Sequence, residues 1–220
     1  HATMKVALKR LMTEGYDLTL PYLTVNETEP GKVSKPNTSI QLDGVAVFRR
    51  DQMKGVLQGD EATGLFWAMD QIRRPTLMLE APDGSGKLSL QLHQQSVAKD
   101  VTIRDGRVVE AKLLIKGKGI LQENTSTFAT ASNSMKMVEQ AATEKIRDMI
   151  ETSIKKVQTE YHSDCLGIGD LIRRRHPKVW KSIRQDWNQL YPTIPFVVDV
   201  TIHMEHGGSM YGPFLSKIVQ

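Results

Sequence analysis

The chain has 220 residues, 40% of them apolar and 25% charged, and carries a formal net charge of +4. This is ordinary for a globular protein and too weakly basic to imply a nucleic-acid partner on its own. A single cysteine, Cys165, excludes an internal disulfide, and no apolar run approaches the ~20 residues of a membrane-spanning helix. No signal peptide is visible, and the opening His1-Ala2-Thr3-Met4 reads as a cloning scar ahead of an internal start. Any targeting or anchoring segment is therefore expected to lie outside this sequence.

Residues 6–14 predict a short helix with Leu8, Leu11 and Met12 on one side and Gly15 as its stop. Residues 16–25 read as a strand, and Pro21 places it at a sheet edge. The polar, Pro-containing stretch 26–39 reads as a loop. A strand over 39–49 carries the run Val45-Ala46-Val47-Phe48, followed by a turn and short strand over 51–57 with Gly55 as a bend. Asp60 is the expected N-cap of a helix over 61–72 that buries Leu65, Met69 and Ile72.

From Pro75 the period changes to two. Segments 77–80 and 87–94 flank Asp83-Gly84-Ser85-Gly86, and segments 101–104 and 107–110 flank Asp105-Gly106, a strong hairpin signal. In the strand after it, Val109, Ala111, Leu113 and Ile115 point one way, while Gly117 and Gly119 mark a bulge or bend. Residues 122–132 read as a linker. Over 134–162, Val138, Ala142, Ile146, Met149, Ile150, Ile154, Val157 and Tyr161 fall at three-or-four spacing, which predicts one long amphipathic helix. A glycine-bearing turn over 164–169 and a brief helix over 170–175 come next. Pro177 then opens a single helix with Trp180, Ile183, Trp187 and Leu190 on one face. A strand over 196–204 closes the pattern.

This order predicts an α+β fold: an antiparallel sheet of about four strands covered by the long helix, preceded by a smaller α+β portion. The expected division is 1–72 for the smaller portion and 73–220 for the C-terminal domain.

Catalytic signals are poor. Gly207-Gly208-Ser209-Met210-Tyr211-Gly212 is not a nucleophile elbow. Cys165 would act as a thiolate nucleophile only with His162 or His176 in reach; otherwise it is an ordinary turn cysteine. The stretch Ala81 to Leu88 lacks the first glycine and the hydroxyl of a phosphate loop and precedes a strand, so it reads as a hairpin. The pairs His203/His206 and His162/Cys165 do not make a metal site, and no cofactor is assigned. The densest charge feature is Arg173, Arg174, Arg175, His176, Lys178, Lys181 and Arg184, with no acid between Leu171 and Gln185. Three readings stand: a solvated helix face, a surface for anionic lipid or an acidic partner at roughly 1 kcal/mol per cation, or a nucleic-acid patch. The last would also need stacking aromatics, and Trp180 and Trp187 belong to the apolar stripe.

Four ordered segments carry a family resemblance. They are Gly44-Val45-Ala46-Val47-Phe48 with Asp51, Gly55 and Leu57; Gln158; Asp164 with Gly167 and Gly169; and Pro177, Trp180, Trp187, Tyr191 and Pro192. Over about 16–208 the chain resembles the Ger(x)C family, the C subunits of bacterial spore germinant receptors. The resemblance implies a non-enzymatic lipoprotein on the outer face of the spore inner membrane, acting beside membrane-spanning receptor subunits that respond to nutrients. It implies a lipid anchor on an N-terminal segment absent here, so Cys165 is not the lipidated residue. Next to an anionic membrane, Arg173, Arg174, Arg175, Lys178, Lys181 and Arg184 become an expected orienting surface. The alternatives are a module that binds the germinant directly and a hydrolase using Cys165 or Ser209.

Overall fold

The computed structural model describes residues 4–27, 38–128 and 132–205. In chain order the elements are α1 (Met4–Leu11), β1 (Thr19–Glu27), β2 (Thr38–Arg49), β3 (Gln52–Leu57), α2 (Gly59–Ala68), β4 (Thr76–Glu80), β5 (Lys87–Arg104) and β6 (Arg107–Asn124). They continue as α3 (Ser132–Thr159), α4 (Ile168–Arg175), α5 (Pro177–Ile183), α6 (Trp187–Leu190), a 3-10 turn (Tyr191–Thr193) and β7 (Phe196–Met204). The fold is α+β, as expected. Most of the 26–39 loop reading and Ser209 fall outside the described residues.

The first sheet has the order β1-β2-β3 and is antiparallel, with β1 at the edge where Pro21 costs no ladder bond. The second sheet has the order β4-β5-β6-β7. Asp105 and Gly106 take φ of 49° and 73°, the double left-handed turn whose twist matches a two-residue hairpin, and they join two continuous 18-residue strands. β4, β5 and β6 are antiparallel, but β7 lies parallel to β6, pairing Ala111 with Phe196 through to Gly119 with Met204. The cause is α3, which runs back along the sheet after β6, so β7 must start again at the same end. Val109 is exposed rather than inward, because it is the extra residue where the register shifts between Thr102 and Ile103.

The long helix forms as its stripe requires. Val138, Ala142, Ile146, Ile150 and Val157 are fully buried, with Met149 and Ile154 beside them. Burying such a stripe contributes on the order of 10–15 kcal/mol before entropy is subtracted. α3 lies along β7 with α2 on its flank. Its side chains also occupy the free edge of β7: Ile202 N donates to Thr143 Oγ1 at 3.3 Å and Met204 N to Glu139 Oε1 at 2.7 Å. An edge paired this way cannot recruit another strand.

Three local expectations need correction. The cap of α2 is Gln58, without a side-chain bond, while Asp60 sits in the first turn. That helix ends at Ala68 because Asp70 turns left-handed, leaving Ile72 half-buried in the following loop. The helix expected after Pro177 is two, α5 and α6, separated by a turn over 184–186. The apolar side of α1 also stays outward, with Leu8 and Leu11 about half exposed and Met12 more so. Elsewhere one continuous core joins Val45 and Leu57 of the first sheet to α2, α3, the second sheet and α4.

Candidate functional site: the Asp164 loop and its basic corner

Past the end of α3 the chain reverses at His162, which takes φ of 48° and leaves its side chain exposed. Ser163 Oγ donates to Phe48 O at 2.6 Å. Asp164 then turns wholly inward. Its Oδ1 accepts from Ile168 N at 2.9 Å, and its Oδ2 accepts from Gly169 N at 2.7 Å and from Trp187 Nε1 at 3.1 Å. Two of these donors are orphan amides of the first turn of α4, so Asp164 caps that helix from outside it. The backbone of Asp164 also bridges to the other end of the chain: its N–H donates to Asp17 Oδ2 at 2.8 Å, and its carbonyl accepts from Asp17 N at 3.0 Å. Asp17 in turn accepts from Arg50 N at 2.9 Å.

The glycines after Asp164 are set by close approach. Gly167 takes φ of 71°, and a Cβ there would enter the Tyr16 ring. A Cβ on Gly169 would stand 2.7 Å from Gly15 Cα and 2.8 Å from Trp187 Nε1. Trp187 makes edge contact with Trp180 at 5.5 Å between centroids and tilts against Tyr191 at 5.8 Å. Gln158, buried near the end of α3, donates to Tyr191 O and Ile194 O, both at 2.7 Å, and so holds the turn that leads into β7. Gly55 is pressed against Tyr161, whose hydroxyl donates to Val56 O at 3.2 Å.

The electrostatics follow from burial. Desolvation pushes the Asp164 carboxyl up to about 8, against the pull of its three N–H donors, with Asp17 adding to the rise. Cys165 is fully buried, and burial followed by the neighbouring Asp164 pushes its thiol far up. A thiol so placed is a poor nucleophile. A cleft of about 630 Å³ overlies this hub, and Asp164 reaches it, but Cys165 and His162 are not in its wall. The arrangement therefore assigns Asp164 and Cys165 to holding the fold. We expect thiol reagents to leave the native protein unlabelled and to react fully once it unfolds; prompt native labelling, read by mass spectrometry, would contradict this assignment.

The six cations read as a surface lie together on α4, α5 and the turn after it, but four meet acids. Asp170 takes both Arg173 Nη2 at 2.6 Å and Arg174 Nε at 2.9 Å. Arg175 Nη1 lies 2.9 Å from Asp100, and Arg184 Nη1 lies 3.9 Å from Glu14, which also accepts from Trp180 Nε1 at 3.2 Å. Lys178 and Lys181 are exposed and meet no acid among the described residues. Asp170 could be read from its i,i+3 and i,i+4 spacing; Asp100 and Glu14 arrive only through the fold. Asp17, which ties the two ends of the chain, carried no sequence signal.

The family described as spore germination B3/GerAC like, C-terminal, matches residues 43–208. The chain belongs to that family. It is 24% identical over 211 residues to the putative spore germination protein YfkR of Bacillus subtilis (strain 168), covering 94% of this chain and 54% of that protein. It is also 24% identical over 202 residues to spore germination protein KC of the same organism, covering 87% and 49%. The chain thus spans about half the length of the curated relatives it matches. The crystal structure of the GerBC protein has the same fold, with a TM-score of 0.67, 22% identity, and coverage of 84% of this chain and 57% of that one. Of the residues that carried the family resemblance, Gln158, Asp164, Gly167, Gly169, Trp180, Trp187 and Tyr191 lie in the hub. No helix among the described residues is long and apolar enough to cross a membrane.

Proposed function

We propose that this chain is part of the C subunit of a nutrient germinant receptor and works in spore germination without catalysis, by assembling with membrane-spanning receptor subunits at the spore inner membrane. The observation that carries this reading is the family match over residues 43–208. The geometry supports it through the use to which the family-like residues are put. Asp164, Gly167, Gly169, Gln158 and Trp187 join distant parts of the chain and leave their polar groups facing one another. Such a framework presents surfaces to neighbours, and the Lys178 and Lys181 side of the α4–α5 corner is the surface we assign to an anionic neighbour, lipid or protein.

Crosslinking in purified spore inner membranes, followed by identification of the adducts, tests the reading. Adducts with the membrane-spanning receptor subunits are expected. Recovery of the protein uncrosslinked to them, in membranes where those subunits are present, would overturn it.

A further inference from the structure

Beyond Val45 the first sheet loses its third strand. β3 pairs with β2 only between Val45 and Arg49, because the chain leaves the sheet after Leu57 to enter α2. Gln58 Nε2 donates to Asp43 Oδ2 at 2.6 Å at that point of departure. β1 and β2 run on together as a two-stranded ribbon, pairing Leu23 with Leu42 and Val25 with Ile40. Residues two apart on a strand share a face, and register partners stand opposite each other, so these four side chains make one apolar face. Each of them is more than half exposed. A ribbon of two strands is marginal in water unless a third strand or another layer covers its apolar side. Among the described residues none covers this one.

The place of this face in the chain says what covers it. Thirteen large apolar side chains are exposed among the described residues, and eight of them precede residue 43, where the family match begins. Four of the eight lie on or just after α1 and four on the ribbon. The other five are spread singly over the matched body, as on any protein surface. Apolar surface is thus concentrated on the stretch ahead of the family domain. The relatives have chain to put there: this sequence covers 54% of YfkR and 49% of KC, and the matching family model is a C-terminal one. Their extra length therefore lies mainly ahead of the matched region. Such a segment would enter through α1, which Arg10 holds against the start of β1 by donating from Nη1 to Thr19 Oγ1 at 3.4 Å.

We propose that the face made by Leu23, Val25, Ile40 and Leu42 seats the N-terminal half of the full-length protein, which lays an apolar layer across the ribbon. The inference rests on the family match and not on the receptor reading.

Thiol labelling of Ile40→Cys tests it, in this chain and in the same protein extended through its N-terminal half. Cys165 is buried, and peptide-resolved mass spectrometry keeps the introduced thiol distinct from any other. With each rate taken relative to the urea-unfolded protein, Ile40→Cys should react promptly in this chain and at least about tenfold more slowly in the full-length protein. Leu23→Lys/Leu42→Glu makes the face charged and leaves an opposite-charge cross-strand pair in the ribbon. It should restore prompt labelling of Ile40→Cys in the full-length protein and leave the urea midpoint of this chain unchanged. Equal rates in the two proteins, or failure of the charged pair to restore labelling, would overturn the proposal. So would a lowered midpoint in this chain, which would mean that the four side chains are already packed. Protection in this chain that grows with its concentration would give the face to a second copy, and protection that appears only with phosphatidylglycerol vesicles would give it to a bilayer; either result would also overturn the proposal.

Discussion

Asp164→Ala is expected to lower the unfolding free energy by about 3–5 kcal/mol, read from urea or thermal unfolding. The substitution strips a partner from three buried donors at once: the amides of Ile168 and Gly169 and the indole of Trp187. Asp164→Asn should cost less, because one oxygen survives, but its NH2 must then face a donor that the second carboxylate oxygen served. The pH dependence has a definite sign. The folded carboxyl is raised to about 8 from the ordinary 3.8, so between these values the folded chain holds a proton that the unfolded chain has lost. The stability contributed by the protonated carboxyl is complete below about pH 4 and declines as pH rises towards 8, with a slope of at most about 1.4 kcal/mol per pH unit. Asp164→Asn should lack this slope, so its deficit against wild type should narrow from pH 5 to pH 8. Parallel profiles for the two proteins would show that three donors hold the carboxylate ionised throughout.

The hub that this experiment probes was only half legible in the sequence. The stripe of α3 was readable because eight apolar residues kept helical spacing with no proline or glycine among them, and β7 because Val198, Val200, Ile202 and Met204 alternate. The break between α5 and α6 was hidden for a physical reason. The turn that separates them keeps near-helical bonding, Arg184 N to Trp180 O and Asp186 N to Ile183 O, so Trp180 and Trp187 stay in phase across it. Strand polarity leaves no mark on side-chain alternation, so the parallel β6–β7 pair could come only from the path of α3. Pairing across the fold was likewise out of reach. Arg175 meets Asp100 and Trp180 meets Glu14 at separations of 75 and 166 residues, which turned a run of bare cations into a mostly neutralised corner.

Gly64→Ala tests one of the tightest glycine contacts among the described residues, and there two physical effects predict opposite signs. Helix propensity alone favours alanine inside α2 by about 1 kcal/mol. Packing opposes it, because a Cβ on Gly64 would collide with the carbonyl of Met149 and with Ser153 Oγ on α3. The crossing is fixed on both sides of that point. Ser153 Oγ lies 2.6 Å from both Glu61 O and Met149 O, and Lys156 Nζ lies 2.8 Å from Glu61 Oε2. A methyl group therefore cannot be absorbed by rotating one side chain; α2 must lift, and the buried contacts of Leu65 and Trp67 loosen with it. We expect packing to win, with a net loss of about 2–3 kcal/mol in urea unfolding, against a change within about 1 kcal/mol for Thr63→Ala one residue earlier. Adding Ser153→Ala separates the two obstacles. It removes the hydroxyl but leaves the Met149 carbonyl in place, so the double variant should keep most of the Gly64→Ala deficit beyond the loss that Ser153→Ala causes alone. Full recovery would show that the hydroxyl, rather than the helix backbone, sets how near α2 can come to α3.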